Sequence, residues 1–123
     1  MCAPGERIYV WVFKGERIIL RGSDICYVHL EQRKLFVHTP RKVYRISGTI
    51  KEATERLHSL PMVRTHYAYL VNMDYLESIS AKGAILKDDE QIPVSESFWR
   101  QARRDVEKYL DRKRSRNQKQ AVK

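Results

Sequence analysis

The first half of the chain alternates short apolar segments with turn residues. In residues 7–13, aliphatic and aromatic side chains occupy alternate positions, which predicts a strand with one aliphatic and one aromatic face. Segment 25–30 is apolar on both faces apart from His29, which predicts a central strand. The even spacing of such segments favours an all-β sheet assembly over βαβ units. The predicted strands are 7–13, 17–21, 25–30, 35–39, 43–46, 62–66, 69–72, 76–80, 84–87 and 91–94.

The apolar period changes to that of a helix after Ser47. Thr49 and Glu52 have the spacing of a capping box, in which a hydroxyl and a carboxylate bind free amides at a helix start. The apolar positions that follow are spaced by three or four residues and form one face: Ile50, Ala53, Leu57 and Leu60. Because proline disfavours helix at the residue before it, Pro61 marks the end. We expect one short helix packed against the sheets.

A second helical period begins after Ser95. Ser95 or Ser97 can cap this helix, and its apolar stripe comprises Phe98, Trp99, Ala102, Val106, Tyr109 and Leu110. From Asp111 onward the chain is polar and basic and has no apolar period, which predicts a disordered tail. The expected organisation is therefore one folded domain over residues 1–110 and a tail over residues 111–123.

Charge and composition narrow the functional classes. The 123 residues include 24 Lys+Arg and 15 Asp+Glu, so the net charge is +9, which favours an anionic partner and nucleic acid first. No apolar run is long enough to span a membrane, and no signal peptide precedes the first strand. Cys2 and Cys26 form no CxxC motif. We therefore expect a cytoplasmic protein that does not insert into membranes.

The chain contains no arrangement of residues typical of a catalytic site. Its histidines, which are His29, His38, His58 and His66, have no spacing typical of a metal site. The five glycines are isolated, so no phosphate-binding glycine loop is present. Asp88, Asp89 and Glu90 are explained by a hairpin turn. We expect no enzymatic activity, no cofactor and no metal.

One segment carries family information. Residues 63–72, Val-Arg-Thr-His-Tyr-Ala-Tyr-Leu-Val-Asn, resemble the signature of LytTR-type DNA-binding domains. The flanking segments 24–28, 35–39, 48–52 and 92–95 are similar to other parts of that family's pattern and keep its order. The resemblance covers residues 7–102, and the ordered set is more specific than any single motif.

The resemblance implies a mainly β fold, a LytTR-like assembly of short antiparallel sheets with one short packed helix and an added C-terminal helix. It implies a bacterial transcriptional regulator that enters major grooves of promoter DNA with loops, as pairs of protomers on direct-repeat sites. Because no receiver domain precedes it in this sequence, the chain is expected to be a stand-alone version or an excised fragment, and Met1 favours the stand-alone version. The positions that match DNA-facing residues of the family are Arg33, Lys34, His38, Arg64, His66, Tyr67, Ser95, Ser97 and Arg100.

Several positions depart from the family pattern and leave two alternatives open. Tyr67 stands where the family has Arg, Lys or Asn, Ala68 stands where it has Ser, and Glu96 with Ser97 replaces a basic pair. Since tyrosine cannot make the bidentate contact of arginine, base specificity does not carry over. One alternative is a LytTR fold that binds a regulatory protein partner with weakened DNA binding. The other is a non-specific nucleic-acid binder driven by the basic tail.

Overall fold

The computed structural model describes the backbone of residues 6–121 and the side chains of residues 6–114. Ten strands form a two-stranded, a three-stranded and a five-stranded sheet, all antiparallel. This confirms the predicted mainly β fold. The strands are β1 (Ile8–Phe13), β2 (Glu16–Arg21), β3 (Tyr27–Glu31), β4 (Lys34–His38), β5 (Val43–Ile46), β6 (Met62–His66), β7 (Tyr69–Asn72), β8 (Leu76–Ser80), β9 (Gly83–Leu86) and β10 (Gln91–Ile92).

The five-stranded sheet is the centre of the molecule. Its order is β5-β4-β3-β7-β6, so β3 is the middle strand, as its apolar sequence predicts. Val28, which faces one side of this sheet, is fully buried, and Tyr27, which faces the other side, is nearly so. Both faces of the sheet are therefore covered by other elements.

Each face of the central sheet contributes to its own apolar core. On one side, the β1–β2 hairpin contributes Tyr9 and Trp11, and helix α1 (Ile50–Arg56) contributes Ile50 and Ala53. On the other side, the remaining elements contribute Ala84, Leu86, Ile92, Ala102 and Val106. The aromatic face of β1 is thus the buried one, and its aliphatic face is turned outward.

Helix α1 begins at the predicted capping box. The Thr49 side chain accepts a hydrogen bond from the Glu52 amide at 3.1 Å, and the Thr49 amide donates to the Glu52 carboxylate at 2.8 Å. Two amides that lack partners inside the helix are satisfied in this way. The helix is shorter than its apolar stripe, because Leu57 and Leu60 follow it and complete the core from a turn.

Helix α2 (Glu96–Ala121) is longer than the apolar stripe predicts. The backbone is helical beyond Leu110, into the segment for which the sequence predicts a disordered tail. Residues 96–121 contain neither glycine nor proline, and Lys, Arg, Gln and Ala have high helix propensity. Ion pairs one helical turn apart, Arg103–Glu107 and Arg114–Asp111, also support the helix on its exposed side.

Candidate nucleic-acid interface

Three segments that the sequence predicts to face DNA meet at one end of the central sheet. The β3–β4 turn lies beside the β6–β7 turn, because the Leu30 amide donates a hydrogen bond to the Ala68 carbonyl at 2.9 Å. The start of α2 lies beside the end of β6, where the Ser95 amide donates to the Thr65 carbonyl at 2.8 Å. We call this end of the molecule the loop face.

The β3–β4 turn presents Arg33 at its tip. Gln32 and Arg33 form a two-residue loop between paired Glu31 and Lys34, and their φ angles are 50° and 66°. Positive φ at both positions is typical of a type I′ hairpin turn, for which Asn and Gly are the preferred residues. Since a side chain at positive φ carries strain, this exposed arginine occupies a position that a glycine would fill more easily.

Arg64 organises the β6–β7 turn. Its guanidinium donates to the backbone carbonyl of His66 at 3.1 Å and to that of Tyr67. It also lies over the ring of Phe98 in α2, 5.2 Å from the centroid, and partial burial lowers the pKa of Arg64. Arg64 therefore ties two segments of the loop face to each other.

The His66 ring has one nitrogen available to a ligand. Its Nδ1 accepts a hydrogen bond from the Ala68 amide at 3.1 Å, so the neutral ring carries its proton on Nε2 and can donate there. Tyr67 packs beside it, with 4.7 Å between ring centroids, and 62% of Tyr67 is exposed. Ala68, where the family has serine, is buried beneath them.

The start of α2 supplies hydroxyls and positive charge. The Ser95 carbonyl accepts from the amides of Phe98 and Trp99, so Ser95 precedes the first turn, and its Oγ lies 3.3 Å from Ser97 Oγ. Ser97 and Arg100 are exposed. Glu96 is exposed beside them, and its negative charge lowers the attraction of this segment for phosphate.

His38 lies apart from the other predicted residues. It is the last residue of β4, whereas Lys34 is the first, so about 13 Å of strand separates them. Its Nε2 is hydrogen-bonded to His29 Nδ1, and its ring stacks on Tyr27 with 4.0 Å between centroids. Burial and the neighbouring His29 lower the pKa of His38 to about 4.

The β1–β2 turn and strand β5 each place a basic residue, which the sequence analysis did not assign, on the ring of Phe13. Lys14 and Arg45 both lie over the Phe13 ring, at 5.5 Å and 4.7 Å from its centroid. Arg45 is paired with Phe36, the middle residue of β4, so this cluster lies at the β5 edge of the central sheet. The sequence shows that these residues are basic, but only the pairing of the strands shows where they lie.

Two further features concern metals and membranes. Among the residues that the structure describes, no group of three or more His, Cys, Asp or Glu side chains is arranged to hold a metal ion. Within the same residues, no helix has the length and apolar character needed to cross a membrane.

The fold agrees with comparisons to known proteins. Residues 15–107 match the family model of the LytTr DNA-binding domain. The chain is 25% identical over 99 residues to the sensory transduction protein LytT of Enterococcus faecalis and 28% identical over 96 residues to that of Bacillus subtilis. These alignments cover 69% and 73% of this chain but only 41% and 40% of the relatives, so the chain spans about two fifths of their length.

A solved structure gives the same result for the fold. The LytTr DNA-binding domain of a putative methyl-accepting/DNA response regulator from Bacillus cereus aligns with a TM-score of 0.70 and 18% identity. The alignment covers 83% of this chain and 98% of that one. Because the family model matches residues 15–107, which is more than half of the sequence, the chain belongs to the LytTR DNA-binding domain family.

Proposed function

We propose that this chain is a sequence-specific, double-stranded-DNA-binding transcriptional regulator whose loop face enters major grooves. The observation that carries the proposal is the convergence of the three segments at one end of the sheet. The family described as a DNA-binding domain supports it, as does the net charge of +9. Cytoplasmic location, the absence of enzymatic activity and binding as pairs on direct repeats are parts of the same proposal.

The exposed residues of the loop face have distinct roles in this proposal. Arg33 reads guanine through a bidentate contact, and Lys34 meets a phosphate beside it. His66 donates from Nε2, and Tyr67 stacks or donates a single hydrogen bond. A phosphate is bound at the start of α2 by the hydroxyls of Ser95 and Ser97, by the free amides of the first turn and by Arg100.

Two of the predicted residues support the interface without contacting DNA themselves. The Arg64 guanidinium donates hydrogen bonds to the carbonyls of His66 and Tyr67, so we propose that Arg64 positions the β6–β7 turn. His38 is engaged with His29 and Tyr27, so we assign it a stabilising role in the sheet. Direct contact with DNA is thereby assigned to the other seven residues.

The test compares selected and random DNA. A duplex selected from a random library and a scrambled duplex of equal length are titrated with the full chain at several salt concentrations. We expect tighter binding of the selected duplex at every concentration. Equal binding with a steep salt dependence would instead support a non-specific binder, and no binding would support a protein-interaction module.

A matched variant pair locates the site. Arg33→Ala should weaken binding to the selected duplex by about 1–3 kcal/mol and change its preference over the scrambled one. Lys87→Ala removes an exposed charge from the far end of the molecule, where the Lys87 amide is bonded to the Tyr75 carbonyl. It should leave the preference unchanged.

A further inference from the structure

The outer face of the β1–β2 hairpin exposes an aliphatic patch that the DNA-binding proposal does not use. The exposed fractions of its side chains are 53% for Ile8, 40% for Val10, 49% for Val12 and 62% for Ile19. Val10 and Ile19 are directly paired across the two strands, so the four side chains are neighbours on one surface. A contiguous exposed apolar patch of this kind is typical of an interaction site.

The hydrogen bonds of the hairpin identify which strand edge is free. The Gly22 amide donates to the Arg7 carbonyl at 2.9 Å, so Arg7 and Gly22 form a hydrogen-bonded pair. Because hydrogen-bonded and non-hydrogen-bonded pairs alternate along two antiparallel strands, the next hydrogen-bonded pair is Tyr9 with Leu20. The carbonyls of Val10 and Val12 point the other way, and they accept from the side chains of Arg56 and Ser47. The outer edge of β1 is therefore occupied by the body of the protein.

Among the residues that the structure describes, the corresponding groups of β2 have no such partners. By the same alternation, the amides and carbonyls of Arg17, Ile19 and Arg21 point away from β1. Within residues 6–121, β2 pairs with no other strand. Free donors and acceptors along an exposed edge are a template for an added strand.

The charges on this edge select the kind of strand that fits. Arg17 and Arg21 flank Ile19 on the same face and are both exposed. Beside the edge lies a cavity of about 210 Å³, whose lining includes two basic residues, Arg21 and Arg41, and one acidic residue, Asp24. An incoming strand would place one residue opposite Ile19 and one opposite each arginine. The complementary pattern is acidic, any residue, apolar, any residue, acidic.

We propose that the free edge of β2 binds an extended segment of a partner protein in which two acidic residues flank an apolar residue. A second copy of this chain fits poorly, because antiparallel pairing centred on Ile19 would place Arg17 opposite Arg21 of the other copy. Nucleic acid fits poorly as well, because the apolar Ile19 between the two arginines and the aliphatic patch beside it offer nothing to phosphates. The proposal does not depend on DNA binding.

The test uses the full ¹⁵N-labelled chain and two synthetic peptides. One peptide has the sequence Thr-Glu-Thr-Val-Thr-Glu-Thr, and the other replaces both glutamates with lysine. We expect the glutamate peptide to shift the amide resonances of Arg17, Ile19 and Arg21 in a saturable way and to slow their exchange with water. The lysine peptide should leave them unchanged.

A charge exchange then tests complementarity. In the double variant Arg17→Glu and Arg21→Glu, affinity for the glutamate peptide should fall by at least about tenfold, and the lysine peptide should bind instead. These side chains lie outside the buried core, and circular dichroism checks that the fold is kept. Ile19→Thr keeps a residue suited to a strand and should weaken both peptides by removing the apolar contact.

Three results would overturn the proposal. The first is no saturable shift at millimolar glutamate peptide. The second is a shift centred on the basic residues of α2, which would indicate non-specific attraction. The third is perturbation of the β2 amides by random duplex and not by peptide, which would assign this edge to nucleic acid.

Discussion

The rings of His29 and His38 are hydrogen-bonded across neighbouring strands, with 2.8 Å between His38 Nε2 and His29 Nδ1. The second nitrogen of His29 lies 3.2 Å from the Glu31 carboxylate. One ring must donate and the other accept, so the pair holds a single proton between its two facing nitrogens. A second proton at the two facing nitrogens would set two N–H groups against each other and break this hydrogen bond.

Stability should therefore fall as the pH is lowered from about 6.5 to 4. The pKa of His38 is about 4 in the folded protein and about 6.5 in an unfolded chain, so the unfolded state binds more protons between these values. The stabilisation is fully present above pH 6.5 and is lost as the pH falls toward 4. We expect a loss of about 2 kcal/mol, measured by urea unfolding across this range.

His38→Phe keeps a ring to stack on Tyr27 and removes the titrating group. This variant should lose most of the pH dependence in that window, whereas His58→Gln, at an exposed position, should retain it. A His38→Phe protein with the same pH profile as the wild type would assign the effect to another group.

Arg33→Gly should change stability and DNA affinity in opposite directions. Glycine adopts the φ of 66° without strain, so we expect a more stable hairpin by about 1 kcal/mol. Affinity for the selected duplex should fall, because the proposed base contact is lost. Thermal unfolding and duplex titration measure the two effects.

The control for this substitution is Asp89→Gly. Asp89 also has a positive φ, of 70°, but it lies in the β9–β10 turn, whose Glu90 bonds to the Tyr27 hydroxyl at the far end of β3. The Asp89→Gly substitution should raise the stability of the protein without changing its affinity for DNA. If Arg33→Gly leaves the affinity unchanged as well, Arg33 carries strain for some reason other than DNA contact.

Much of the fold was predictable because its local signals agree with one another. The alternation in residues 7–46 and 62–94 predicts nearly all of the strands, and the Thr49–Glu52 capping box predicts the start of α1. The Asn72 side chain stabilises the turn that follows it, since its Oδ1 accepts a hydrogen bond from the Asp74 amide at 3.0 Å, as asparagine commonly does in turns. Such signals involve residues close in sequence, so a single chain reveals them.

Other features depend on register and packing between distant residues. Positions 34 and 38 share a face of β4, but only the pairing with β3 shows that His38 is engaged by His29. Both faces of β1 are apolar in sequence, so the pattern cannot tell that Tyr9 is buried and Val10 exposed. The positioning role of Arg64 likewise requires knowing that the β6–β7 turn folds back onto it.

Arg64 and His66 should be energetically coupled in DNA binding. Arg64→Lys keeps the charge but cannot donate to two carbonyls in the same planar geometry, so the turn that carries His66 should loosen. We expect Arg64→Lys and His66→Ala to weaken binding less than additively when combined, with a coupling of about 1 kcal/mol. A double-mutant cycle with duplex titration measures it.

The matched pair for this cycle is Lys87→Ala with His66→Ala, which should be additive because the two sites are far apart. The amide of Ala68 provides an independent readout, since it is bonded to His66 Nδ1 and should exchange faster with water in Arg64→Lys. Strict additivity with unchanged exchange would contradict a positioning role.

The basic end of the chain should add affinity without adding specificity. Residues 112–123 contain six Lys or Arg and no Asp or Glu, and the preceding part of α2 displays Arg100, Arg103, Arg104 and Lys108. Each phosphate contact contributes about −0.9 to the slope of log affinity against log salt concentration. Removing residues 112–123 should therefore flatten that slope by about two to four units if some of the charges engage at once.

The selected and scrambled duplexes should weaken by similar factors in this truncation, because contacts to phosphates carry no sequence information. A full-length variant with the six basic residues replaced by glutamine keeps the chain length and should give the same slope as the truncation. This control separates charge from chain length, since the Lys113 contact to Asp74, which lies at 3.8 Å and is partly exposed, is lost in both altered chains. If both altered chains retain the wild-type slope, the charges at this end serve solubility and DNA contact is confined to the loop face.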